Sequence, residues 1–430
     1  MPTTVNAATV DTIRQRKKNM RNFFRVLAIA YLLKPVFRVL LPHGPAHVID
    51  ESNRPVFSDV DKYNFSLRSK SGKLRKIYER LSKESDDPEA ERLMKGPGSV
   101  VFDSDGTMYV LSKKGKLIRL TDFKDDPDPD SIDTTAKCTE VVDLGVGNPL
   151  GSSFAKDGSL YVADTLLGLI RVRFPNGKKP VVELVASRVK VNGKLSQILF
   201  ANDVVVGPKS GHVYFSDASD IAPSQDSART WNALHASKLD FMRGMRTGRL
   251  LRYTPNTGEI DVLATDIWFA SGVAVDKNEQ FVIVSETFAA RQLKYNLQGP
   301  NKGELEVMVK DLPGLPGKVD CSFKNGMCYA AIESGKPFVV SLLFLLPSFI
   351  ERNLRTLIMM LPEFLLPKRV RYGAFVEIFP GWEEVPSIIR RVIQDPNGED
   401  IDMVCSVKEH GDKLYLGSLE NDFIGVYDLN

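Results

Sequence analysis

The chain is poor in the residues that build disulfide frameworks and histidine-based active sites. Its 430 residues include four cysteines and five histidines. Four cysteines in a chain of this length do not make a disulfide scaffold. The scarcity of histidine also argues against a Ser-His-Asp triad, because each such site needs a histidine beside its serine.

The chain also lacks a strong charge of either sign. Its net charge is +3, with 43% hydrophobic and 26% charged residues. The two signs are mixed along the sequence, so no basic stripe predicts nucleic-acid binding. The composition instead fits a large body with a real core. We interpret the acidic stretch Asp125–Asp133 (DDPDPDSID) as a solvated loop.

A long uninterrupted apolar run is missing as well. The N-terminal run Phe23–Leu41 is broken by Arg25, Lys34 and Arg38, and its intact part Val26–Leu33 is too short to span a bilayer alone. We favour a membrane anchor or interfacial helix for residues 1–50. The alternatives are a signal peptide, which lacks a clean cleavage site, and a buried structural helix.

If this segment spans a membrane, the basic residues that precede it place the N-terminus in the cytosol and the rest of the chain in the lumen or outside the cell. The expected compartment is the endoplasmic reticulum or the plasma membrane. The sequon Asn64-Phe65-Ser66 is compatible with that side, which makes Asn64 a candidate glycosylation site.

A second apolar stretch, Phe338–Pro367, is broken into short helices by prolines and charges. We expect this helical insertion, residues 338–368, either to cap one face of the protein or to dip its apolar side into a membrane, and we favour the cap. Trp231–Met245 is predicted to form a smaller helix on the same face.

What the chain does contain is one sequence motif that recurs six times: an apolar run, a polar turn and a second apolar run. The copies are Phe102–Tyr109 (FDSDGTMY), Phe154–Tyr161 (FAKDGSLY), Val206–Tyr214 (VGPKSGHVY), Val275–Ile283 (VDKNEQFVI), Phe323–Tyr329 (FKNGMCY) and Val407–Tyr415 (VKEHGDKLY). Each copy predicts a β-hairpin, and recurrence at long spacing indicates a repeat architecture.

The spacing selects the architecture. The last residues of the copies lie between 46 and 86 residues apart, with further strand-like runs between them. These runs are Leu117–Leu120, Leu169–Val172, Val181–Ala186, Arg249–Tyr253, Ile260–Thr265 and Arg291–Tyr295. One hairpin and two further strands make a four-stranded blade, so the chain predicts an all-β fold, a six-bladed β-propeller over residues 96–430. Residues 51–95 are a linker with first strands or a helix packed on the propeller. The alternative is a β-sandwich.

Three of the four cysteines, Cys321, Cys328 and Cys405, lie in or beside the last two repeats. If the Asn325-Gly326 turn is a two-residue loop, Phe323 faces Cys328, and Cys321 is offset from Cys328. A disulfide between them would then need a different loop. We interpret Cys138 and Cys405 as free, buried thiols.

Several segments resemble a known family. GPGSVVFDSDGTMYV, FANDVVV and GPNKGELEV are similar to blocks of the strictosidine synthase-like proteins, and the resemblance runs from Gly96 to Leu429. Within that family the layout resembles the adipocyte plasma membrane-associated protein group, which includes insect hemomucins. The resemblance implies a six-bladed propeller, a type II membrane anchor and an ancestry shared with calcium-dependent lactonases. It also implies an arylesterase-like hydrolase activity.

In a propeller the innermost strand of each blade lines the central channel, and ligands bind at its mouth. Counting ten to twelve positions back from the last residue of each copy gives the candidate mouth residues Gly98, Leu150, Asn202, Ser271, Lys318 and Val404–Cys405, with Asp203 adjacent. Calcium needs six to eight oxygen ligands. This set offers one amide, one hydroxyl and a lysine, so we expect no calcium and no other cofactor.

The family comparison points the same way. The resemblance implies that metal-dependent relatives have a glutamate at the position of Gly98 and asparagines at the positions of Asn202 and Ser271. It also implies an Asp-Asn pair in those relatives where this chain has Gly317-Lys318. Asn202 is the residual metal-ligand candidate. The base of plant strictosidine synthase aligns with Cys405, so the condensation that names the family is not supported.

Lys318, Cys405 and Asp203 are the candidate catalytic residues. Lys318 puts a positive charge where relatives hold a metal, and it either replaces that cation, pairing with Asp203 or binding an anionic ligand, or reaches solvent at the rim. Cys405 is either a nucleophile activated by Lys318 or a small buried residue, and we favour the second.

Acids also follow three equivalent strands, at Asp164, Asp217 and Glu286. We interpret them as turn and inter-blade hydrogen-bonding residues rather than catalysts.

Three functions remain open. The first is a membrane-anchored hydrolase of the arylesterase or lactonase type. The second is a non-catalytic propeller that binds a small anionic or apolar ligand, or a protein, at a membrane surface. The third is an enzyme that uses Lys318 and Cys405 in new chemistry. Function depends on the site and not the fold, so the site has to decide.

Overall fold

The computed structural model describes residues 43–57, 64–66, 74–79, 93–123, 132–145, 147–176, 178–225, 231–336, 342–361, 365–366, 368–381 and 385–429. The predicted N-terminal membrane segment, before residue 43, lies outside this part of the chain, as does most of the acidic loop. Within the described part, the protein is mostly β, as the repeat predicts.

The chain enters through a short 3-10 helix, Glu51–Asn53, and two early strands. These strands are β1 (Asn64–Ser66) and β2 (Leu74–Glu79). Sheet 1 follows, with β3 (Pro97–Phe102), β4 (Met108–Ser112), β5 (Lys116–Thr121) and β6 (Ile132–Asp143). Sheet 2 comprises β7 (Pro149–Phe154), β8 (Leu160–Asp164), β9 (Gly168–Arg173) and β10 (Val181–Ala186). A small hairpin, β11 (Arg188–Val191) and β12 (Lys194–Gln197), leads onward.

Sheet 3 is interrupted by a helical excursion. It begins with β13 (Ala201–Val206) and β14 (Val213–Asp217). The excursion contains β15 (Ser224–Gln225), β16 (Trp231–Asn232) and helix α1 (Ala233–Arg243). The sheet is completed by β17 (Gly248–Thr254) and β18 (Glu259–Ile267). The helix predicted within Trp231–Met245 is therefore confirmed.

The remaining strands form three more sheets. Sheet 4 contains β19 (Ala270–Val275), β20 (Phe281–Glu286), a 3-10 turn at Thr287–Ala289, β21 (Arg291–Asn296) and β22 (Leu305–Val309). Sheet 5 contains β23 (Gly314–Cys321), β24 (Cys328–Gly335), then helix α2 (Ser348–Met359), β25 (Gly373–Phe379) and β26 (Ile388–Asp395). Sheet 6 contains β27 (Val404–His410), β28 (Lys413–Ser418) and β29 (Phe423–Asp428).

The two early strands complete the late sheets. Strand β2 pairs antiparallel with β29 as the fourth strand of sheet 6, and it also runs parallel to β6 of sheet 1. Strand β1 adds to the edge of sheet 5, parallel to β26. Chain segments before residue 96 thus tie the end of the protein to its beginning.

The first strands of the sheets surround a common centre. Strands β3, β7, β13, β19, β23 and β27 contact one another in this order, and β27 contacts β3 in turn. We call the side where these strands begin the mouth face, and the side that carries the hairpin turns the turn face. Apolar clusters fill the spaces between neighbouring sheets. The cluster between sheets 1 and 2, for example, contains Val101, Leu111, Leu117, Leu144, Leu160, Val162, Ile170 and Val172.

The hairpin turns are held by their own polar side chains. In the first repeat the Asp103 Oδ1 atom accepts hydrogen bonds from the backbone amides of Asp105 (3.0 Å) and Thr107 (2.8 Å). Gly106 has φ +80°, a conformation that other residues rarely adopt. The polar residues of the repeat therefore form the chain reversal, while the flanking apolar residues pack into the core.

The acids after the second strands are structural, as interpreted from the sequence. The Asp164 Oδ1 atom accepts from the amides of Leu166 and Leu167, both at 2.9 Å. Asp217 accepts from the amide of Phe200 and from Arg249. Glu286 holds the amide of Trp268, among other partners, so these carboxylates close loops at the mouth face.

The turn at Asn325-Gly326 is not a two-residue loop, and the different loop that a disulfide would need is the one observed. Cys321 pairs directly with Cys328 in the register of β23 and β24, and the two sulfurs form a disulfide. The turn is longer because the amide of Ser322 donates to the carbonyl of Met327 (2.7 Å), and the Ser322 hydroxyl accepts from the amide of Asn325. Phe323 consequently lies in the turn, where it is 51% exposed, and does not face Cys328.

The two other cysteines are free. Cys405 is buried as predicted, whereas Cys138 is only half-buried.

Helices α1 and α2 contact each other on the mouth face. The carboxylate of Glu351 bonds the guanidinium of Arg355 (2.9 Å) and that of Arg54 (3.0 Å). Arg355 also donates to the carbonyls of Met242 (2.6 Å) and His47. Buried charged groups therefore clamp α2 to α1 and to the entering chain. Among the residues that the structure describes, no helix is both long enough and apolar enough to cross a membrane.

Candidate functional site

A cavity of about 330 Å³ opens at the mouth face. Of the mouth residues predicted by counting back from each repeat, the structure places Gly98, Leu150, Asn202, Lys318 and Cys405 on its wall. Asp203 and Ser271 lie buried behind that wall, at 5% and 1% exposure.

Lys318 crosses the centre of the ring. It is 8% exposed, and its Nζ atom donates to the carbonyl oxygen of Gly98 on β3 (2.9 Å) and to that of Leu150 on β7. These carbonyls belong to two other sheets than Lys318 itself. The ammonium group is therefore held by main-chain oxygens at the centre and does not reach the solvent at the rim.

Asp203 is the first carboxylate that balances this charge. Its Oδ2 atom accepts from the amide of Val273 (3.0 Å), and Gly151 lets it approach because a Cβ there would overlap the carboxylate. Burial raises the pKa of Asp203 to about 6, while the positive charge of Lys318 acts in the opposite direction. Asp203 is thus mostly ionised at neutral pH, and its charge interacts favourably with that of the Lys318 ammonium.

The second carboxylate, Glu333, was not predicted. It lies on β24 within an otherwise apolar strand, it is half-buried, and it lines the cavity. Burial raises its pKa to about 7, opposed by Lys318 and Arg369. Counting back from the repeat found only first strands, so a residue on a second strand escaped. A lone charged residue in the run CYAAIESG was the available signal.

Glu333 occupies space that a side chain would otherwise fill. A Cβ at Gly317 would overlap its carboxylate. The family resemblance places an aspartate at this position in metal-dependent relatives. The absence of a side chain at Gly317 therefore lets a carboxylate from the neighbouring strand enter the centre.

Cys405 is not an activated nucleophile. Burial raises the pKa of its thiol to about 12, although Lys318 opposes the shift. The thiol lies 3.4 Å from the carbonyl oxygen of Gly98 and 3.5 Å from that of Gly417, to which it can donate. It remains protonated at neutral pH, in agreement with the interpretation as a small buried residue.

Ser271 serves the wall and not the cavity. Its hydroxyl shares a hydrogen bond with that of Thr287 (2.6 Å) and lies 3.3 Å from the carbonyl oxygen of Pro316. It fixes the start of β19 against β23. Asn202 remains on the cavity wall, at 9% exposure.

A second, apolar cavity of about 110 Å³ adjoins the first beneath α1. Its wall includes Phe241, Met242, Phe269, Phe288, Leu315 and Leu366. Leu234, Glu333 and Met403 line both cavities. The carboxylate of Glu333 therefore stands where a polar space at the ring centre meets an apolar pocket, which suits a ligand with one polar and one apolar end.

The residues at the centre do not fit a calcium ion. Within the described ranges no three or more His, Cys, Asp or Glu side chains are grouped so as to hold a metal. The ammonium of Lys318 already bonds the carbonyls of Gly98 and Leu150, and a dication beside it would be repelled.

Comparison with known proteins assigns the family. Residues 202–300 match the family described as Strictosidine synthase. The adipocyte plasma membrane-associated protein of Gallus gallus is 30% identical over 362 residues, covering 78% of this chain and 77% of that protein. The chain belongs to the strictosidine synthase-like family. Another such relative, from Salmo salar, is 27% identical over 437 residues, covering 95% of this chain and 91% of its own length.

The strictosidine synthase-like assignment extends to plants. Protein STRICTOSIDINE SYNTHASE-LIKE 10 of Arabidopsis thaliana is 29% identical over 350 residues, covering 78% of this chain and 85% of that protein. Among solved structures, a gluconolactonase of Xanthomonas campestris superposes with a TM-score of 0.49 at 10% identity, covering 90% of this chain and 99% of that one.

In this strictosidine synthase-like chain, we expect Glu333→Gln to stabilise the protein at high pH only. The raised pKa of Glu333 means that its contribution is present below the unfolded pKa and is lost as pH rises through about 7. Glutamine mimics the neutral acid, so the variant should exceed the wild type by ~2 kcal/mol in the free energy of unfolding near pH 8, and match it near pH 4, below the unfolded pKa.

Urea unfolding at both pH values measures this difference. Glu420→Gln, an exposed glutamate on the same cavity wall, controls for the loss of one negative charge. Equal behaviour of the two variants at pH 8 would contradict the burial of the Glu333 charge.

Proposed function

We propose that this chain is a six-bladed β-propeller that binds a small, partly apolar ligand at its channel mouth without a metal ion. The closed order of contacts among the first strands supports six blades. One observation carries the binding proposal: the Lys318 ammonium donates to carbonyls of two other sheets, at the ring centre. A cation built into the chain takes the place of a bound one.

The charges at the centre narrow the class of ligand. Lys318 is balanced by Asp203 and Glu333, so little net positive charge remains to attract an anion. The apolar pocket beneath α1 offers aromatic and aliphatic walls next to the Glu333 carboxylate. We therefore propose a neutral ligand with an apolar body and a polar head that hydrogen-bonds at Glu333.

A second candidate function is the calcium-independent hydrolysis of a ligand of this kind that is an ester or a lactone. The Glu333 side chain favours it. A carboxylate with a pKa of about 7 in a cavity wall is suited to act as a general base near neutral pH. Glu333 would take a proton from a water molecule as the oxygen of that water forms a bond to the substrate carbonyl carbon. The proton would then return to the leaving alkoxide as the original C–O bond breaks.

We further propose that the protein is attached to a membrane through its N-terminal segment, with the propeller in the lumen or outside the cell. The basic residues before Phe23 support this orientation. The Cys321–Cys328 disulfide supports it as well, because disulfides persist in oxidising compartments. The names of the animal relatives include plasma membrane association.

Calcium should leave the protein unchanged. A calcium ion present at about 100 times its dissociation constant would stabilise the folded state by ~2.7 kcal/mol. We expect no shift in thermal unfolding between calcium and chelator, and the same rate of ester and lactone hydrolysis in both. If turnover is detected, Glu333→Gln should lower kcat by roughly 10²-fold or more.

Calcium-dependent turnover or calcium-dependent stabilisation would overturn the metal-free site. Turnover that resists chelator and falls in the Glu333→Gln variant would select hydrolysis over binding alone.

A further inference from the structure

Helix α2 buries charged residues that a surface helix usually exposes. Two of its three charged residues, Glu351 and Arg355, are 0% and 2% exposed, whereas the apolar Phe349 is 65% exposed. A helix on a protein in water normally turns its apolar stripe inward and its charges outward. The internal ion pair fixes α2 in this orientation, so the exposure of Phe349 is a feature of the fold.

The exposed apolar side chains extend beyond α2 itself. The connection between β24 and β25 exposes Leu342 (54%), Leu345 (81%), Phe349 (65%), Leu361 (40%) and Leu365 (54%). We call these five residues the apolar cap surface. Concentrations of exposed apolar residues on a soluble protein mark a contact with another protein or a membrane.

The charges beside this surface favour an anionic partner. Arg352 lies within α2, and Lys336 and Lys368 lie at the two ends of the connection. The sequence from 342 to 371 contains two acids, Glu351, which is buried in its ion pairs, and Glu363. Cations around an apolar surface match the headgroups and acyl chains of an anionic bilayer.

The N-terminal segment departs from the same place. The amide of Ala46 donates to the hydroxyl of Thr356 (3.0 Å), and the carbonyl of His47 accepts from Arg355. The 42 residues before the first described residue include the basic stretch and the apolar run Phe23–Leu41. A membrane attachment through that run would therefore bring the apolar cap surface to the bilayer.

We propose that the apolar cap surface docks onto an anionic lipid bilayer, with the channel mouth turned toward the membrane. The proposal rests on the proposed attachment of the N-terminal segment, and it goes further by assigning a second contact and an orientation. A mouth that faces the bilayer suits a ligand with an apolar body, because such a ligand concentrates in the membrane.

Depth-dependent fluorescence tests the orientation on the full chain. Phe349→Trp places a reporter on the apolar cap surface, and Phe323→Trp places one on the turn face, where the native side chain is also exposed (51%). Each variant is bound to vesicles of phosphatidylcholine and phosphatidylserine, with and without brominated acyl chains, and the wild-type signal is subtracted. Leu345→Trp repeats the measurement at the most exposed cap residue.

We expect bromine to quench the Phe349→Trp and Leu345→Trp signals several-fold more than that of Phe323→Trp. The quenching of the two cap reporters should be weaker on vesicles that lack phosphatidylserine. Flotation with the vesicles reports attachment separately, so loss of flotation refutes the N-terminal anchor. Flotation with equal quenching on both faces refutes the docking surface alone. A blue shift of Phe349→Trp that follows protein concentration without lipid would assign the surface to a second copy and overturn the proposal.

Discussion

Lys318→Met is expected to destabilise the protein by roughly 3–5 kcal/mol, because removing one partner of a buried charge set leaves the others uncompensated. Asp203 and Glu333 would lose the positive charge that now holds their pKa values down. The methionine side chain is similar in length to that of lysine but cannot donate to the carbonyls of Gly98 and Leu150. Urea unfolding of the purified protein measures the loss.

The effect should depend on pH in a stated direction. Without Lys318 both carboxylates have higher pKa values, so the variant is least affected near pH 5, where Glu333 is protonated, and most affected near pH 8. The double variant Lys318→Met/Glu333→Gln should recover part of the loss at pH 8. A loss independent of pH would mean that packing, and not charge, explains the effect.

Lys408→Met provides the matched control. Lys408 pairs with Asp320 (2.8 Å) on the turn face, with 35% of its side chain exposed. The same substitution in a partly exposed pair should cost about 0–1 kcal/mol. If Lys318→Met is as mild as this control and ligand binding is unchanged, Lys318 does not substitute for a central cation.

Glu351→Gln is the second large effect expected, with a loss of about 3–5 kcal/mol. Burial lowers the pKa of Arg355, and Glu351 opposes that shift. Without the carboxylate, the Arg355 guanidinium stays buried beside Arg54 with only neutral partners. We expect hydrogen exchange to accelerate in α2 and in residues 43–57, which this pair joins.

Arg355→Met should be milder than Glu351→Gln, because Glu351 keeps its ion pair with Arg54. Glu140→Gln, in the exposed pair with Lys116, controls for a surface charge and should cost about 0–1 kcal/mol. If Arg355→Met proves as damaging as Glu351→Gln, the cap depends on the hydrogen bonds to Met242 and His47 rather than on charge balance.

Much of the strand pattern follows from short sequence signals. The runs Val181–Ala186 and Arg249–Tyr253 lie in strands β10 and β17, because alternation and turn residues are local properties. The count back from each repeat reached Lys318 and Asn202, since equivalent positions of equivalent strands occupy equivalent places around a ring. This reasoning required no knowledge of which side chains meet.

Other features depended on contacts between distant residues. Glu333 enters the site because Gly317, on the neighbouring strand, leaves room for it. The turn between Cys321 and Cys328 is set by the Ser322 hydroxyl rather than by the Asn-Gly pair alone. Neither effect has a signature within the few residues that a local pattern reads.

By itself, the sequence determined the repeat, the hairpins and five of the positions on the wall of the mouth cavity, because each depends on local periodicity and turn chemistry. The tertiary structure alone decided what those positions can do. Burial placed the pKa values of Asp203 and Glu333 near neutrality and kept the Cys405 thiol protonated, and the buried ion pair of α2 holds that helix with Phe349 exposed. The cost of burying a charge depends on neighbours that are distant in the chain, which is why no local pattern reveals it.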